Sequence, residues 1–211
     1  MPILSYDLYC LNNWRRLDSG GPIRLKNLDT IQKFVKIRDE SWFILVHVEI
    51  ESEAAPAIRA IGEVQQAVAG DRRDSLQTKP ETISKSLSEM IGTLGRMTEG
   101  NSPEVYAFAF RPYIQMFTDV WYGGVDELSG PQTFRGETGA RSSIIPSLDM
   151  FLDMALGIRH QRTDLTDYVG DMRNYMPAGH RSFIEAAAAE ERARPLRPYI
   201  VAKGSRRLSD A

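Results

Sequence analysis

The sequence predicts an all-α fold, a helical bundle, from two patterns and from its size. Apolar residues recur at helical spacing in successive segments, which gives each segment one apolar face. The segments end at breaks that contain Gly or Pro, such as GNSP at residues 100–103. With 211 residues, of which 42% are hydrophobic, the chain is long enough for one core. We therefore expect a single helical domain over residues 1–211.

Two segments in the first part of the chain have different patterns. Apolar residues at every third position predict a short amphipathic helix over residues 27–34, with Asn27 as its N-cap. The run WFILVHVEI at residues 42–50 is apolar nearly all round, so it is consistent with either a buried strand or a buried helix. The Ala-rich run that follows has no breaker except Pro56, which favours a helix.

The clearest amphipathic helix begins at Lys79-Pro80-Glu81, where proline suits a first helical turn. A further, aromatic-rich helix is expected from Glu104, with a kink at Pro112. In the helix that begins at Lys79, the periodic apolar positions are Ile83, Leu87, Met90, Ile91, Leu94 and Met97.

The second half of the chain combines a long loop with further helices. Residues 121–139 carry five glycines and one proline, which predicts a glycine-rich loop that acts as a lid or a connection. Helical stripes over residues 146–156 and 165–176 predict two helices, the second ended by Pro177. The tail over residues 192–211 is basic, and its end is expected to fray.

Composition argues against several kinds of partner. The 26 basic and 28 acidic side chains nearly balance, so charge gives no argument for nucleic acid or a membrane surface. No apolar run approaches the roughly 20 residues that span a bilayer, and the opening residues lack the basic region of a signal peptide. A single cysteine, Cys10, excludes an intramolecular disulfide and fits a reducing compartment. These observations predict a cytoplasmic protein that binds neither nucleic acid nor membrane.

The usual hydrolase and nucleotide-binding signatures are absent from the sequence. His47, His160 and His180 do not form an HExxH motif, and no Cys/His spacing suits zinc. The sequence also has no Walker loop and no GxSxG elbow.

Arg111 lies in YAFAFRPYIQMF, residues 106–117, among five aromatic side chains. A guanidinium in apolar surroundings needs an anionic partner, because burying it unpaired is costly. Its planar fork suits bidentate capture of a carboxylate, and aromatic neighbours can pack against a flat ring. Two interpretations remain open: Arg111 pairs with an internal Asp or Glu, or it binds the carboxylate of an aromatic ligand.

Three motifs in combination carry a family resemblance. They are the aromatic segment around Arg111, GETGARSSIIPSLDMFLDMALGI at residues 136–158, and MRNYMPAGHRSF at residues 172–183. Across almost its whole length the chain resembles the indoleamine 2,3-dioxygenase family. Its members are haem enzymes that use dioxygen to open the indole ring of tryptophan, giving N-formylkynurenine in the kynurenine pathway. The resemblance implies the helical large domain of that family.

The resemblance also implies a set of substrate-binding residues. Arg111 matches an arginine that grips the tryptophan carboxylate, and Tyr106 matches an aromatic residue that packs against the indole. Ala107 stands where the best-known members have an aromatic residue, a departure that affects the shape of the pocket. Thr138 and Gly139 belong to the family's glycine-rich loop, whose small residues let backbone approach a flat ligand.

Haem b is the cofactor that the resemblance implies. The implied contact positions are Leu94, Thr138, Gly139, Ile145 and Asp149. Ile145 replaces a haem-packing aromatic residue, and Asp149 matches a buried aspartate beneath the haem. No iron ligand is identified in the chain: the proximal histidine is expected beyond Ala211, and the family's small domain before Met1. On this expectation the chain is a partial family member with little activity alone, and a second chain is one source of the remaining helices.

Alternatives remain for the histidines and for the overall role. His180 follows the helix-breaking Pro177 and is expected to be structural, fixing the turn with Arg181, while His160 is expected at a solvated helix end. His47 is either a polar group on the distal side of the haem or a hydrogen-bonded core histidine. The alternative to an enzyme is a non-catalytic helical protein that uses the scaffold for binding or assembly. A third hypothesis is a haem enzyme with His47 or His180 on the iron.

Overall fold

A computed structural model describes residues 4–156 and 164–203, and helices dominate them, which confirms the all-α prediction. No helix among these residues combines the length and the apolar character of a membrane span. The α-helices are α1 (Arg38–Ala69), α2 (Lys79–Gly95), α3 (Pro103–Val105), α4 (Arg111–Ile114), α5 (Ile144–Leu156), α6 (Asp164–Met172), α7 (Ala178–Ala193) and α8 (Leu196–Lys203).

Short strands within the described residues form two separate antiparallel pairs, β1 with β2 and β3 with β4. Trp14 lies opposite Thr30 in the first pair, and Phe117 lies opposite Phe134 in the second, next to a register shift. The bounds of the strands are β1 (Trp14–Arg16), β2 (Leu28–Thr30), β3 (Phe117–Val120) and β4 (Gln132–Phe134).

Contacts between Cα atoms divide the chain into two compact units. The first unit comprises Met1–Glu49 and Leu94–Arg141, and the second comprises Ile50–Thr93 and Ser142–Ala211. The expectation of one domain over residues 1–211 stays a prediction.

The first unit buries aromatic and aliphatic side chains from both of its segments. Phe110 and Ile44 are fully buried, and the indole Nε1 of Trp42 donates a hydrogen bond to the Arg96 carbonyl at 2.8 Å. Gly100 packs directly on that indole, where an added β-carbon would lie 2.5 Å from the ring. A glycine is therefore needed at this break between helices.

The second unit packs residues of α1 against α2, α5 and α8. Small side chains on one face of α1 let the neighbouring helices approach closely, and burial of the apolar side chains stabilises the packing. The buried residues are Ala54, Ala57, Ala60, Ile61, Val64, Ala67, Leu76, Ile83, Met90, Ile144, Leu148 and Leu196.

Residues 42–50 are helical, which settles the choice between strand and helix. They belong to α1, which continues through Pro56. Pro56 is exposed, and its missing N–H removes one backbone hydrogen bond from the helix. The spacing of apolar residues could not distinguish a strand from a helix here, because alternate positions are all buried. Ile44, Val46 and Val48 are each at most 3% exposed.

The predicted helix over residues 27–34 is wrong. Asn27 ends a 3-10 turn, and Leu28–Thr30 forms β2. The Asn27 side chain accepts a hydrogen bond from the Asp18 N–H at 2.7 Å and donates one to the Asp18 carbonyl at 2.9 Å. Asn27 therefore closes a loop. The segment is too short for a stable helix, and pairing with β1 satisfies the backbone hydrogen-bonding groups of β2 instead.

The helices predicted from residues 79, 104, 146 and 165 begin at Lys79, Pro103, Ile144 and Asp164, whereas α7 and α8 were not predicted. Ser102 caps α3, since its Oγ accepts a hydrogen bond from the Val105 N–H at 3.1 Å. Residues 121–139 contain a 3-10 turn and β4 as well as irregular backbone. Within residues 192–211, α8 buries Leu196 to 2% exposure, while residues 204–211 lie outside the described residues, as does His160.

Candidate functional site

The candidate site lies in the first unit, around the helical segment that carries Arg111. Between α3 and α4 the backbone widens into a π-helical turn, Tyr106–Phe110, a distortion that is frequent at functional positions. In this turn the Tyr106 ring packs against Phe43 at 5.4 Å and against Phe110 at 5.1 Å between ring centroids. Two of the five aromatic residues around Arg111, Tyr106 and Phe110, thus pack together with Phe43, whereas Phe108, Tyr113 and Phe117 are exposed.

Arg111 is partly exposed beside this cluster. Its Nη1 donates a hydrogen bond to the Glu137 carbonyl at 3.3 Å, and no carboxylate of a described residue forms an ion pair with it. A backbone carbonyl carries no net charge, but the Glu137 carboxylate also lies close enough to interact electrostatically with Arg111. No carboxylate of the described residues lies within ion-pair distance of Arg111, and both interpretations stay predictions.

The glycine-rich loop after β4 is fixed to the end of α4. The Glu137 N–H donates a hydrogen bond to the Ile114 carbonyl at 2.7 Å. A β-carbon on Gly136 would lie 2.5 Å from backbone atoms of Gln115 and Met116, so only glycine permits this approach. The loop is therefore placed by backbone contacts next to Arg111.

Thr138 and Gly139 occupy a tight turn of this loop. The Thr138 Oγ1 accepts a hydrogen bond from the Ala140 N–H at 3.3 Å, and its carbonyl accepts one from the Arg141 N–H at 3.1 Å. Gly139 is exposed. The turn therefore leaves the Gly139 backbone exposed, and its contact with a ligand stays a prediction.

A buried ion pair between Glu137 and Arg141 holds the same loop. Glu137 is 5% exposed and Arg141 is fully buried, and Nη1 of Arg141 lies 3.2 Å from Oε2 of Glu137. Burial raises the pKa of Glu137 to about 7, although the neighbouring Arg141 opposes the shift. Sequence reasoning missed this pair, because Glu and Arg four residues apart usually mark a solvated helix face.

His47 lies on α1 beside the loop. Its Nδ1 is 2.7 Å from the Phe43 carbonyl, which can only accept a hydrogen bond, so the proton is assigned to Nδ1. Burial lowers the pKa of the imidazole, so the ring is neutral at neutral pH and Nε2 is an acceptor. A β-carbon on Gly139 would lie 3.8 Å from this Nε2. His47 therefore combines a core hydrogen bond with an acceptor next to the loop.

The contacts around this site form a closed ring. Arg111 binds the carbonyl of Glu137, and the loop of residues 137–139 adjoins His47. The His47 and Phe43 rings are 4.4 Å apart between centroids, and Phe43 contacts Tyr106, which shares its helical segment with Arg111. The structure thus brings together four residues predicted from the sequence, namely Tyr106, Arg111, Thr138 and Gly139. We call these residues, with Phe43, His47 and Glu137, the contact ring.

Four further predicted residues lie at exposed positions. Ala107 follows Tyr106 in the π-helical turn, and Leu94 lies in the last turn of α2 with 55% exposure. In the second unit, Ile145 on α5 is 59% exposed. Asp149, expected to be buried, is exposed and lines an open cleft of about 450 Å³. Their grouping into one cofactor site stays a prediction.

His180 lies in the first turn of α7, in the second unit. Its Nδ1 is buried without a hydrogen-bond partner among the described residues, while the Arg181 N–H donates to the Pro177 carbonyl at 3.1 Å. Within residues 4–156 and 164–203, no three His, Cys, Asp or Glu side chains are close enough to hold a metal ion. The structural role of His180 stays a prediction.

Comparison with known proteins identifies the family. The family model described as indoleamine 2,3-dioxygenase matches residues 1–211. A Homo sapiens protein named indoleamine 2,3-dioxygenase 2 is 30% identical over 217 residues, which cover 100% of the chain and 51% of that protein. The Rattus norvegicus indoleamine 2,3-dioxygenase 1 is 30% identical over 219 residues, which cover 100% of the chain and 52% of that protein. The Saccharomyces cerevisiae indoleamine 2,3-dioxygenase is 27% identical over 204 residues, which cover 87% of the chain and 44% of that protein. The chain spans about half the length of these relatives. Because the family model covers its whole length, the chain belongs to the indoleamine 2,3-dioxygenase family.

Proposed function

We propose that the chain provides the tryptophan-binding part of a haem-dependent dioxygenase that converts L-tryptophan and dioxygen to N-formylkynurenine. Both atoms of dioxygen add across the indole C2–C3 bond, which breaks, so the reaction needs no further oxidant. The observation that supports this proposal is Arg111, a partly exposed guanidinium in the contact ring whose direct hydrogen bond goes to a backbone carbonyl and not to a carboxylate.

Four side chains of the contact ring, those of Arg111, Tyr106, Phe43 and His47, act on different parts of the substrate. Arg111 binds the carboxylate through charge-assisted hydrogen bonds, each worth about 1.5–3 kcal/mol. Tyr106 and Phe43 pack against the indole, since both rings belong to the same cluster. His47 accepts a hydrogen bond from a substrate N–H at Nε2, because its own proton is held at Nδ1. Ala107, with a single methyl group, leaves room for substituents on the indole.

The residues at the expected cofactor positions suit a flat, largely apolar group. Leu94 is more than half exposed, so its apolar surface is available for contact. The exposed backbone of Gly139 permits close approach by a planar ring system. We assign Leu94, Thr138 and Gly139 of the first unit to haem b, which when bound supplies iron that activates dioxygen, and the roles of Ile145 and Asp149 stay predictions. None of the described residues is assigned as the iron ligand.

Arg111→Ala tests the proposed substrate clamp. The chain of residues 1–211 is supplemented with haemin, and binding of L-tryptophan and of tryptamine, which lacks the carboxylate, is measured by calorimetry. Loss of charge-assisted hydrogen bonds should raise the Kd for L-tryptophan by about ten- to a hundredfold. The Kd for tryptamine should change by less than about twofold.

A matched control is Arg192→Ala, which removes an exposed arginine near the end of α7. It should leave both affinities unchanged. Equal effects of Arg111→Ala on the two ligands, or unchanged binding of L-tryptophan, would contradict the carboxylate assignment. Absence of tryptophan binding by the wild-type chain would defeat the proposed function as a whole.

A further inference from the structure

The Glu137–Arg141 pair is buried and makes more hydrogen bonds than an ordinary surface ion pair. Arg141 donates from Nη1 to the Leu4 carbonyl at 2.9 Å and from Nη2 to the Arg135 carbonyl at 2.7 Å, besides its contact with Glu137. These bonds fix a fully buried guanidinium against the N-terminal segment and the strand end. Burial of both charges is tolerated because each is paired and hydrogen-bonded.

Glu137 connects this buried pair to the substrate-binding residues. Its Oε1 accepts a hydrogen bond from the Thr138 N–H at 3.0 Å, which orients the loop at Thr138. Its backbone carbonyl accepts the hydrogen bond from Arg111, and its N–H donates to the Ile114 carbonyl at the end of α4. One residue therefore links the buried charge of Arg141 with both the loop and the proposed carboxylate clamp.

We propose that Glu137 and Arg141 are positioning residues whose ion pair sets the geometry of Arg111 and Thr138, so that binding of an amino-acid carboxylate depends on the charge of Glu137. This inference rests on the proposed function of Arg111. Glu137 and Arg141 do not themselves touch the substrate. They act through the Glu137 carbonyl and the Thr138 amide.

The charges that face Glu137 make the pair sensitive to pH. Arg141 and Arg111 favour the ionised carboxylate, whereas Asp7 and burial disfavour it, and the phenol of Tyr9 is also close enough to interact. The resulting pKa of about 7 places the change of charge near neutrality. Protonation of Glu137 removes the countercharge of Arg141 and weakens the bond to the Thr138 amide.

The test compares Glu137→Gln, Arg141→Lys and the double variant Glu137→Gln/Arg141→Met. The double variant removes both buried charges, which keeps the chain folded if a single change does not. Binding of L-tryptophan and tryptamine to the haemin-supplemented chain is measured at about pH 6 and about pH 8. Amide hydrogen exchange of residues 138–140 reports the loop directly, without any ligand.

Glu137→Gln and the double variant should weaken L-tryptophan binding at about pH 8 by about tenfold, with less than about a twofold change for tryptamine. Arg141→Lys keeps the charge and should retain part of the affinity. The wild-type affinity for L-tryptophan should fall from about pH 8 to about pH 6 more steeply than that of Glu137→Gln. Amide exchange at residues 138–140 should accelerate in both Gln-containing variants.

Glu190→Gln is the control, because Glu190 and Arg194 form an exposed pair with the same spacing of four residues. It should change neither ligand affinity nor the pH profile. If Arg111→Ala weakens tryptophan binding but Glu137→Gln does not, the positioning role is wrong while the proposed function stands. If the wild-type chain fails to bind tryptophan, both are overturned. Equal losses for both ligands would show a merely structural role.

Discussion

His47 offers a hydrogen-bond acceptor to the contact ring because its other ring nitrogen is committed to the backbone. The Phe43 carbonyl fixes the proton on Nδ1, and burial lowers the pKa of the ring. A doubly protonated imidazole would present a donor and a charge next to Gly139 instead. The role proposed for His47 therefore depends on one protonation state.

Nitrogen NMR of the histidine side chains tests this assignment. At neutral pH the His47 Nδ1 should give the signal of a protonated nitrogen and Nε2 that of an unprotonated one. The ring should remain neutral below the usual histidine pKa of about 6.5, since burial disfavours its charged form. His47→Phe identifies the signals by their loss. A proton on Nε2, or a cationic ring at neutral pH, would contradict the proposed acceptor.

Single residues with strong chemical preferences were predictable from the sequence, whereas their partners were not. Arg111 stood out because an arginine among aromatic residues needs an anion. Glu137 did not stand out, because its partner Arg141 is held by the carbonyl of Leu4, which is 137 positions away in the sequence. The spacing of four residues is compatible with a contact between Glu137 and Arg141, but it does not indicate that the two side chains are buried. The positioning pair was therefore visible only in the structure.

Gly136 and Gly139 lie in the same loop element but have different surroundings. A β-carbon on Gly136 would meet the backbone of residues 114–116 at 2.5–2.8 Å, where no side chain can move aside. The corresponding atom on Gly139 would lie at 3.8 Å from His47, an ordinary contact distance. The first glycine therefore places the loop, and the second leaves its surface open.

Gly136→Ala should lower the free energy of unfolding by about 1–3 kcal/mol or more, because backbone has to shift to admit the methyl group. Gly139→Ala should change it by less than about 1 kcal/mol. Gly123→Ala is the control, since a β-carbon there meets nothing within 4 Å. Denaturant unfolding measures all three variants. A loss for Gly136→Ala no larger than that for Gly123→Ala would show that the loop is not fixed by this approach.

At the element scale, long periodic helices were predicted well and short elements poorly. The start of α2 at Lys79 follows from its proline and its apolar stripe. In contrast, β2 replaced a predicted helix at residues 27–34 because pairing with β1 depends on residues that are distant in sequence. The π-helical turn at Tyr106 has no clear sequence signal, although it carries two predicted site residues. Elements stabilised mainly by tertiary contacts are the ones that local patterns miss.

Titration of Glu137 links the stability of the whole molecule to its proposed binding function. Burial raises its pKa from 4.5 to about 7, so the folded state holds a proton that the unfolded state has lost in this range. Burial also raises the pKa of Glu191, which makes stability fall with rising pH in the same way. The lowered pKa of His47 makes stability rise with pH instead. The Glu137 contribution is therefore best isolated by comparison with Glu137→Gln, in which the other groups cancel.

Relative to Glu137→Gln, the wild-type protein should lose stability as pH rises from about 4.5 to about 7. The folded state binds more protons than the unfolded state in this window, so the free energy of unfolding falls with pH, by on the order of 3 kcal/mol in total. Urea unfolding across this range measures the difference, with Glu190→Gln as the control that should show no such trend. Tryptophan affinity should change in the opposite sense, rising as Glu137 ionises and pairs with Arg141. A stability difference that stays flat or increases with pH would contradict the raised pKa and show that Arg141 keeps Glu137 ionised throughout.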